Sequence, residues 1–299
     1  MMKLVLLSLS ALLSFTAGAG ATAWLSLNIE NGHAKVPAKV AGIEGMAILD
    51  TGAHINAINQ RFINHNNLEF AHRGHVDIEG MHGQQRQKLY ANIETEVFGI
   101  QSSMNGLAAA TLGHHTNALL LGAGFFSQSV VQLDYPNQRV RMLTRDAVNV
   151  GKHENIKTYA HLGTGMPIVE VEIAGKPIWL LLDTGYTGGI LISRRLAEGL
   201  DLVTPDAKHV TSAGVNEFAV MRETQLAEMR LGPFTLANVA IAYPDEGHRI
   251  KTLTQYQHTS SKIRGRKVRG VIGYDALKHF LLTLDYAKGD LHLSVPEKV

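Results

Sequence analysis

Two short phrases hold the residues of this chain best suited to chemistry. The first is Ala47-Ile48-Leu49-Asp50-Thr51-Gly52-Ala53, and the second is Leu180-Leu181-Leu182-Asp183-Thr184-Gly185-Tyr186. In each, an apolar run ends on an Asp, and Thr-Gly follows. Such a run reads as a buried strand that delivers its last residue to the edge of an apolar layer. A carboxylate there is costly unless it is partnered or used. The same setting twice in one chain suggests two carboxylates that meet. Carboxyls in contact cannot both ionise near neutrality, so they would share a proton and could work as an acid–base pair.

The elements that must position these residues repeat as well. The two Asp-Thr-Gly phrases lie 183 − 50 = 133 residues apart, and Val40-Ala41-Gly42 stands against Ile173-Ala174-Gly175 at the same offset. Each Gly falls between two apolar stretches, which reads as a β-hairpin. Downstream, Asn59 is placed to cap a short helix over 60–65, and Ser193 to cap one over 194–199. Leu120-Leu121-Gly122 precedes Leu133-Asp134-Tyr135, and Val271-Ile272-Gly273 precedes Leu284-Asp285-Tyr286; here the offset is 273 − 122 = 151. The second copy therefore carries 151 − 133 = 18 more residues between its two motifs. The division expected is a leader at 1–23, a first lobe at 24–146, a polar linker at 147–159 and a second lobe at 160–299. Short apolar or alternating runs separated by Gly, Asn and Pro make both lobes strand-rich.

The chain has 299 residues, 45% of them hydrophobic, enough for one large domain or two small ones. Charged residues make up 18%, which argues against disorder, and a net charge of +2 does not by itself point to nucleic acid. Lys3, the apolar run 4–13 and the small residues 17–23 read as a cleaved export signal, with cleavage favoured after Ala23. The apolar run is shorter than the roughly 20 residues of a membrane span. The chain has no cysteine, so an exported protein would have no disulfide staples, and a bacterial periplasm or secretion outside the cell fits best.

On these motifs the sequence resembles the aspartic peptidases, specifically the bacterial retropepsin-like branch. The resemblance rests on the two Asp-Thr-Gly phrases and on the apolar-apolar-Gly motifs at 120–122 and 271–273, and it covers most of the expected mature chain. It implies a mainly-β fold of two homologous retropepsin-like β-barrel lobes related by a pseudo-two-fold axis. Thr51 and Thr184 would hydrogen-bond across to the opposite loop, while Gly52 and Gly185 would allow close backbone approach. Asp50 and Asp183 would activate a water for direct attack on a peptide bond, with no metal and no cofactor. Hairpin flaps would cover the substrate: 76–93 with its tip at Gly80, Met81, His82 and Gly83, and 210–226 with Gly214 and Val215 in its tip. A monomer acting on peptide or protein, without nucleic acid or stable membrane insertion, is implied. Two complete half-sites in one chain argue against pairing of like lobes across chains.

One position departs from the pattern. Tyr186 stands where the family more often has a small residue, and could crowd the cleft, line a pocket or enter the core. It leaves open the alternative of a non-catalytic peptide-binding protein. Other features read as structural. The histidines, including His72, His75, His82 and His114-His115, lack metal-ligand spacing. The basic run Lys262, Arg264, Arg266, Lys267 and Arg269 reads as a solvated loop, and Gly122-Ala123-Gly124 is not completed as a nucleotide loop. Asp134 and Asp285 each begin a turn between strands.

Overall fold

The computed structural model describes residues 4–5, 20–79, 84–161, 165–213, 218–248 and 266–297. The turn signals at 41–42 and 174–175 become two-residue hairpins. Strand His33–Val40 turns into Ile43–Leu49 with Val40 paired to Ile43, and Pro167–Ile173 turns into Lys176–Leu182 with Ile173 paired to Lys176. Both loop residues have positive φ in each case: Ala41 at 50°, Gly42 at 79°, Ala174 at 50° and Gly175 at 71°. That backbone follows the right-handed twist of the strands it joins. Asn31-Gly32, at φ 51° and 82°, makes a third such turn between Asn28–Glu30 and His33–Val40.

The second strand of each hairpin then enters the middle of a sheet. Ile43–Leu49 pairs in parallel with Asn117–Leu121, bringing Leu121 beside Leu49. Lys176–Leu182 pairs in parallel with Val268–Ile272, bringing Ile272 beside Leu182. Strands buried on both faces read as continuous apolar runs, which accounts for the unbroken apolar triplets before each Asp. Asn117–Leu121 is also antiparallel to Ala57–Asn59, and Val268–Ile272 to Ile190–Ile192. The two sheets therefore have matching centres. In the second, Phe218–Leu231 pairs with both Pro167–Ile173 and Phe234–Pro244, curling the sheet toward a barrel.

A third sheet joins the halves of the chain. Val130–Asp134 and Leu281–Asp285 lie antiparallel at its centre, where Val131, Leu133, Leu282 and Leu284 are all fully buried. Arg139–Leu143 and Asp290–Ser294 flank them. Asp134 and Asp285, read as turn residues, are buried where their strands end and pair with Arg139 at 2.8 Å and Arg145 at 3.0 Å. Helices are short. Asn59 accepts from the Arg61 N–H at the start of Gln60–His65, and Ser193 accepts from Leu196 N–H at the start of Arg194–Glu198.

The polar linker is better anchored than its composition suggests. Val148, Val150 and Ile156 are buried, and the Asn155 side chain donates to the Leu293 carbonyl and accepts from its N–H. Ahead of the first lobe, Thr22 N–H donates to the Met142 carbonyl and Thr144 N–H to that of Gly20. Residues 20–22, assigned to the leader from sequence, thus extend the third sheet. Leu4–Val5 pairs with Thr235 and Leu236. Among the described residues no helix is long and apolar enough to cross a membrane.

Candidate active site

Both parallel strands stop at the same seam. The Asp50 N–H donates to the Leu121 carbonyl and the Asp183 N–H to that of Ile272, so each Asp is fixed where its strand leaves the sheet. The following threonines are fully buried and tie the two loops together. The Thr51 N–H donates to Thr184 Oγ1 and the Thr184 N–H to Thr51 Oγ1, each at 3.0 Å. The Thr51 hydroxyl then donates to the Leu182 carbonyl at 2.7 Å, and the Thr184 hydroxyl to that of Leu49 at 2.8 Å. Four reciprocal bonds satisfy the N–H and the hydroxyl of both buried threonines, as a buried network must.

The glycines set the approach. A Cβ on Gly52 would overlap the Asp183 carboxyl, and one on Gly185 would overlap that of Asp50. Asp50 and Asp183 consequently meet, half-buried and hydrogen-bonded to each other. Gly52 N–H donates to Asp50 Oδ1 at 2.9 Å. Asp183 Oδ1 accepts from Gly185 at 2.8 Å and from Tyr186 at 3.1 Å. Burial raises both carboxyls above the ordinary Asp value, and the neighbouring charge of Asp183 pushes Asp50 well above it. On Asp183 the N–H donors work against burial, since hydrogen bonds to a carboxylate favour its charged form. The pair is therefore built to hold one proton between its two carboxyls.

Residues 169–276 match a family model described as Aspartyl protease. That match supports an aspartic peptidase over a stretch holding Asp183-Thr184-Gly185 and Val271-Ile272-Gly273; Asp50-Thr51-Gly52 lies outside it. A crystal structure of a retropepsin-like aspartic protease from Rickettsia conorii matches at 16% identity, over 46% of this chain and 87% of that one, with a TM-score of 0.32. No curated protein matches the chain.

The remaining residues singled out from sequence fall around the pair unevenly. The expected flaps are antiparallel hairpins, His72–Glu79 with Gln84–Tyr90 and Lys208–Ala213 with Phe218–Leu231. Their tips, including Gly80, Met81, His82, Gly83, Gly214 and Val215, lie outside the described residues. Tyr186 packs partly against the core, with its ring over Gly188 and Gly273. Of the basic run, Arg266 stacks on Trp179 and Tyr159, its guanidinium 4.4 Å and 4.8 Å from the ring centres; Lys262 and Arg264 lie outside the described residues. A 470 Å³ cavity lined by Leu25, Pro37, Met46 and Phe98 includes neither Asp.

Two supporting residues escaped the sequence reading. Asn56 Oδ1 accepts the Gly122 N–H at 2.9 Å, where in the second sheet the Gly189 carbonyl accepts that of Gly273 at 2.8 Å. A side chain thus does in one half what backbone does in the other. The Tyr286 hydroxyl, buried behind the loops, donates to the Thr51 carbonyl at 3.3 Å. The repeated Leu-Asp-Tyr, at 133–135 and 284–286, is the sequence signal for Tyr286.

Proposed function

We propose that the protein is an exported aspartic endopeptidase with Asp50 and Asp183 as its catalytic dyad. In this reading two retropepsin-like lobes, roughly residues 24–146 and 160–299, are related by a pseudo-two-fold axis through the threonine seam. The observation that carries the reading is the reciprocity of that seam: each Thr bonds the opposite loop, and each Gly leaves the space that the opposite Asp fills. An arrangement that holds two carboxyls in contact at a half-exposed edge has a large desolvation cost, which acid–base chemistry explains better than structure does.

The mechanism follows from one shared proton. In the free enzyme the two carboxyls share one proton; when it sits on Asp50, Asp183 is the base. A water held between them loses a proton to Asp183 and attacks the scissile carbonyl carbon. Asp50 donates its proton to the carbonyl oxygen, giving a neutral tetrahedral diol. Collapse expels the amine, which takes a proton from the dyad as it leaves, and the other hydroxyl proton returns to the pair. Thr51 and Thr184 tie the two loops that carry the carboxyls, and the flap hairpins cover an extended peptide and exclude bulk water.

The test is digestion of a mixed peptide library from acidic to neutral pH by the wild type, Asp50→Asn and Asp183→Asn. Wild-type cleavage is expected, with each variant losing at least the ~10²–10⁴-fold that a positioned acid or base contributes. Equal cleavage by either folded variant would reject the dyad.

A further inference from the structure

Resting on the endopeptidase reading, we propose that Tyr186 makes the two halves of the cleft unequal in size. The Asp50 half takes a bulky aliphatic or aromatic side chain of the peptide; the Asp183 half, already filled by the phenol, takes a small one.

Ala53 and Tyr186 hold corresponding places. Each follows its Asp-Thr-Gly, and each carbonyl accepts an N–H from the short helix behind it at 2.8 Å, from Ala123 and Tyr274 respectively. Gly122 and Gly273 press against these same carbonyls, leaving no room for a Cβ. Beyond the backbone the two sites diverge. The Ala53 methyl leaves a wall of half-buried apolar side chains: Ala53 and Ile55 on the loop, with Val76, Ile78 and Leu89 on the flap strands. These belong to a cluster separate from the main core. In the other half the equivalent floor belongs to the main core, and the Tyr186 ring packs against that core over Gly188 and Gly273.

The exposures of the floor record the difference. Ile48, Ala57 and Leu120 keep 6%, 6% and 7% of their surface, whereas their counterparts Leu181, Leu191 and Val271 keep 1%, 1% and 2%. The open wall in the first half offers apolar surface that a large side chain would remove from water, at about 25 cal/mol per Å². In the second half the corresponding residue carries a ring that passes Gly273 and whose hydroxyl reaches over Gly188. Burial, and then the charges of Glu223 and Asp183, hold that hydroxyl in its neutral form. A bulky substrate group there must displace a packed phenol.

The test compares cleavage-site profiles of the wild type, Tyr186→Phe, Tyr186→Ala and Ala53→Tyr on one peptide library. Wild type and Tyr186→Phe should show one position near the cut selective for Leu, Phe or Met, and another that rejects them. Tyr186→Ala should relax the rejection by roughly tenfold or more, the scale on which apolar pockets discriminate size, and Ala53→Tyr should abolish the bulky preference. Unchanged rejection in folded Tyr186→Ala would overturn the inference, as would a wild type that tolerates bulky groups at every position. Binding of the same peptides to Asp50→Asn separates the two readings. Unequal size selection without wild-type cleavage would sink the endopeptidase and keep the unequal cleft. Selection that is equal in both assays would sink the unequal cleft alone.

Discussion

Asp50 and Asp183 differ in what surrounds each carboxyl, and that difference has a thermodynamic signature. Burial raises both, Asp50 the further because Asp183 lies against it. A carboxyl whose folded pKa exceeds its unfolded value stabilises the fold when protonated, and that contribution is lost as pH rises through the folded pKa. The pair should therefore cost stability at neutral pH and cease to do so as pH falls toward the ordinary Asp value near ~3.9. Asp50→Asn, which cannot ionise, should melt higher than wild type at pH 7, with the gap closing at low pH. Calorimetry across that range measures it, and a pH-independent gap would mean that the carboxyls are not coupled. The glycines make a sharper claim. Gly52→Ala places a methyl on the Asp183 carboxyl, so it should abolish cleavage even where the protein folds. Of this residue-scale picture, both Asp-Thr-Gly phrases were legible, because a polar triplet behind an apolar run stands out. Asn56 and Tyr286 were not, since each acts through a partner far along the chain: Gly122 for the first and Thr51 for the second.

At the scale of elements, the hairpins show where sequence and structure part company. Gly42 and Gly175 announced their turns, but the residues ahead of them, Ala41 and Ala174, sit at a φ of 50° that alanine seldom adopts. The left-handed backbone costs an L residue about 1–2 kcal/mol, which Asn tolerates better. Ala41→Asn and Ala174→Asn should each raise the unfolding free energy by up to ~1 kcal/mol, and urea melts would show a loss if the turns were otherwise built. The leader boundary is a second case. Small residues at 17–23 allow several cleavage sites, and nothing local chooses between them. The folded chain adds one constraint: Gly20 and Thr22 bond to Thr144 and Met142. Cleavage after Ala19, rather than after Ala23, would keep those bonds. If the leader is cleaved as proposed, intact-mass measurement of the mature chain should place Gly20 first; a chain starting at Trp24 would show that the third sheet forms without those bonds. The linker misled for the same reason, because its Asn155 is polar in sequence and yet clamps Leu293 in space.

Across the whole molecule, several contacts among the described residues tie the halves of the chain to each other. The threonine seam is one. The Asn31-Gly32 turn of the first half reaches Thr187 of the second, so tightly that a Cβ on Gly32 would press on the Thr187 side chain. The third sheet interleaves strands of both, with Gln132 donating to Thr283 at 2.9 Å in a buried pair. Such sharing predicts one cooperative unfolding transition, with near- and far-UV signals superimposing in urea. The seam itself can be dissected. Thr51→Val removes the acceptor of the Thr184 N–H and the donor to the Leu182 carbonyl, and Thr184→Val does the same in reverse. Each buried group left unpaired costs about 1–3 kcal/mol, so each variant should be strongly destabilised. Once one threonine is gone, however, the other has lost one of its three bonds, and the two loops are free to relax and weaken the rest. The double variant should therefore cost less than the sum of the singles, by a coupling on the order of 0.5–3 kcal/mol. Costs that add to within a few tenths of a kcal/mol, or two separate transitions in the wild type, would mean that the halves fold independently and that no seam forces the carboxyls together.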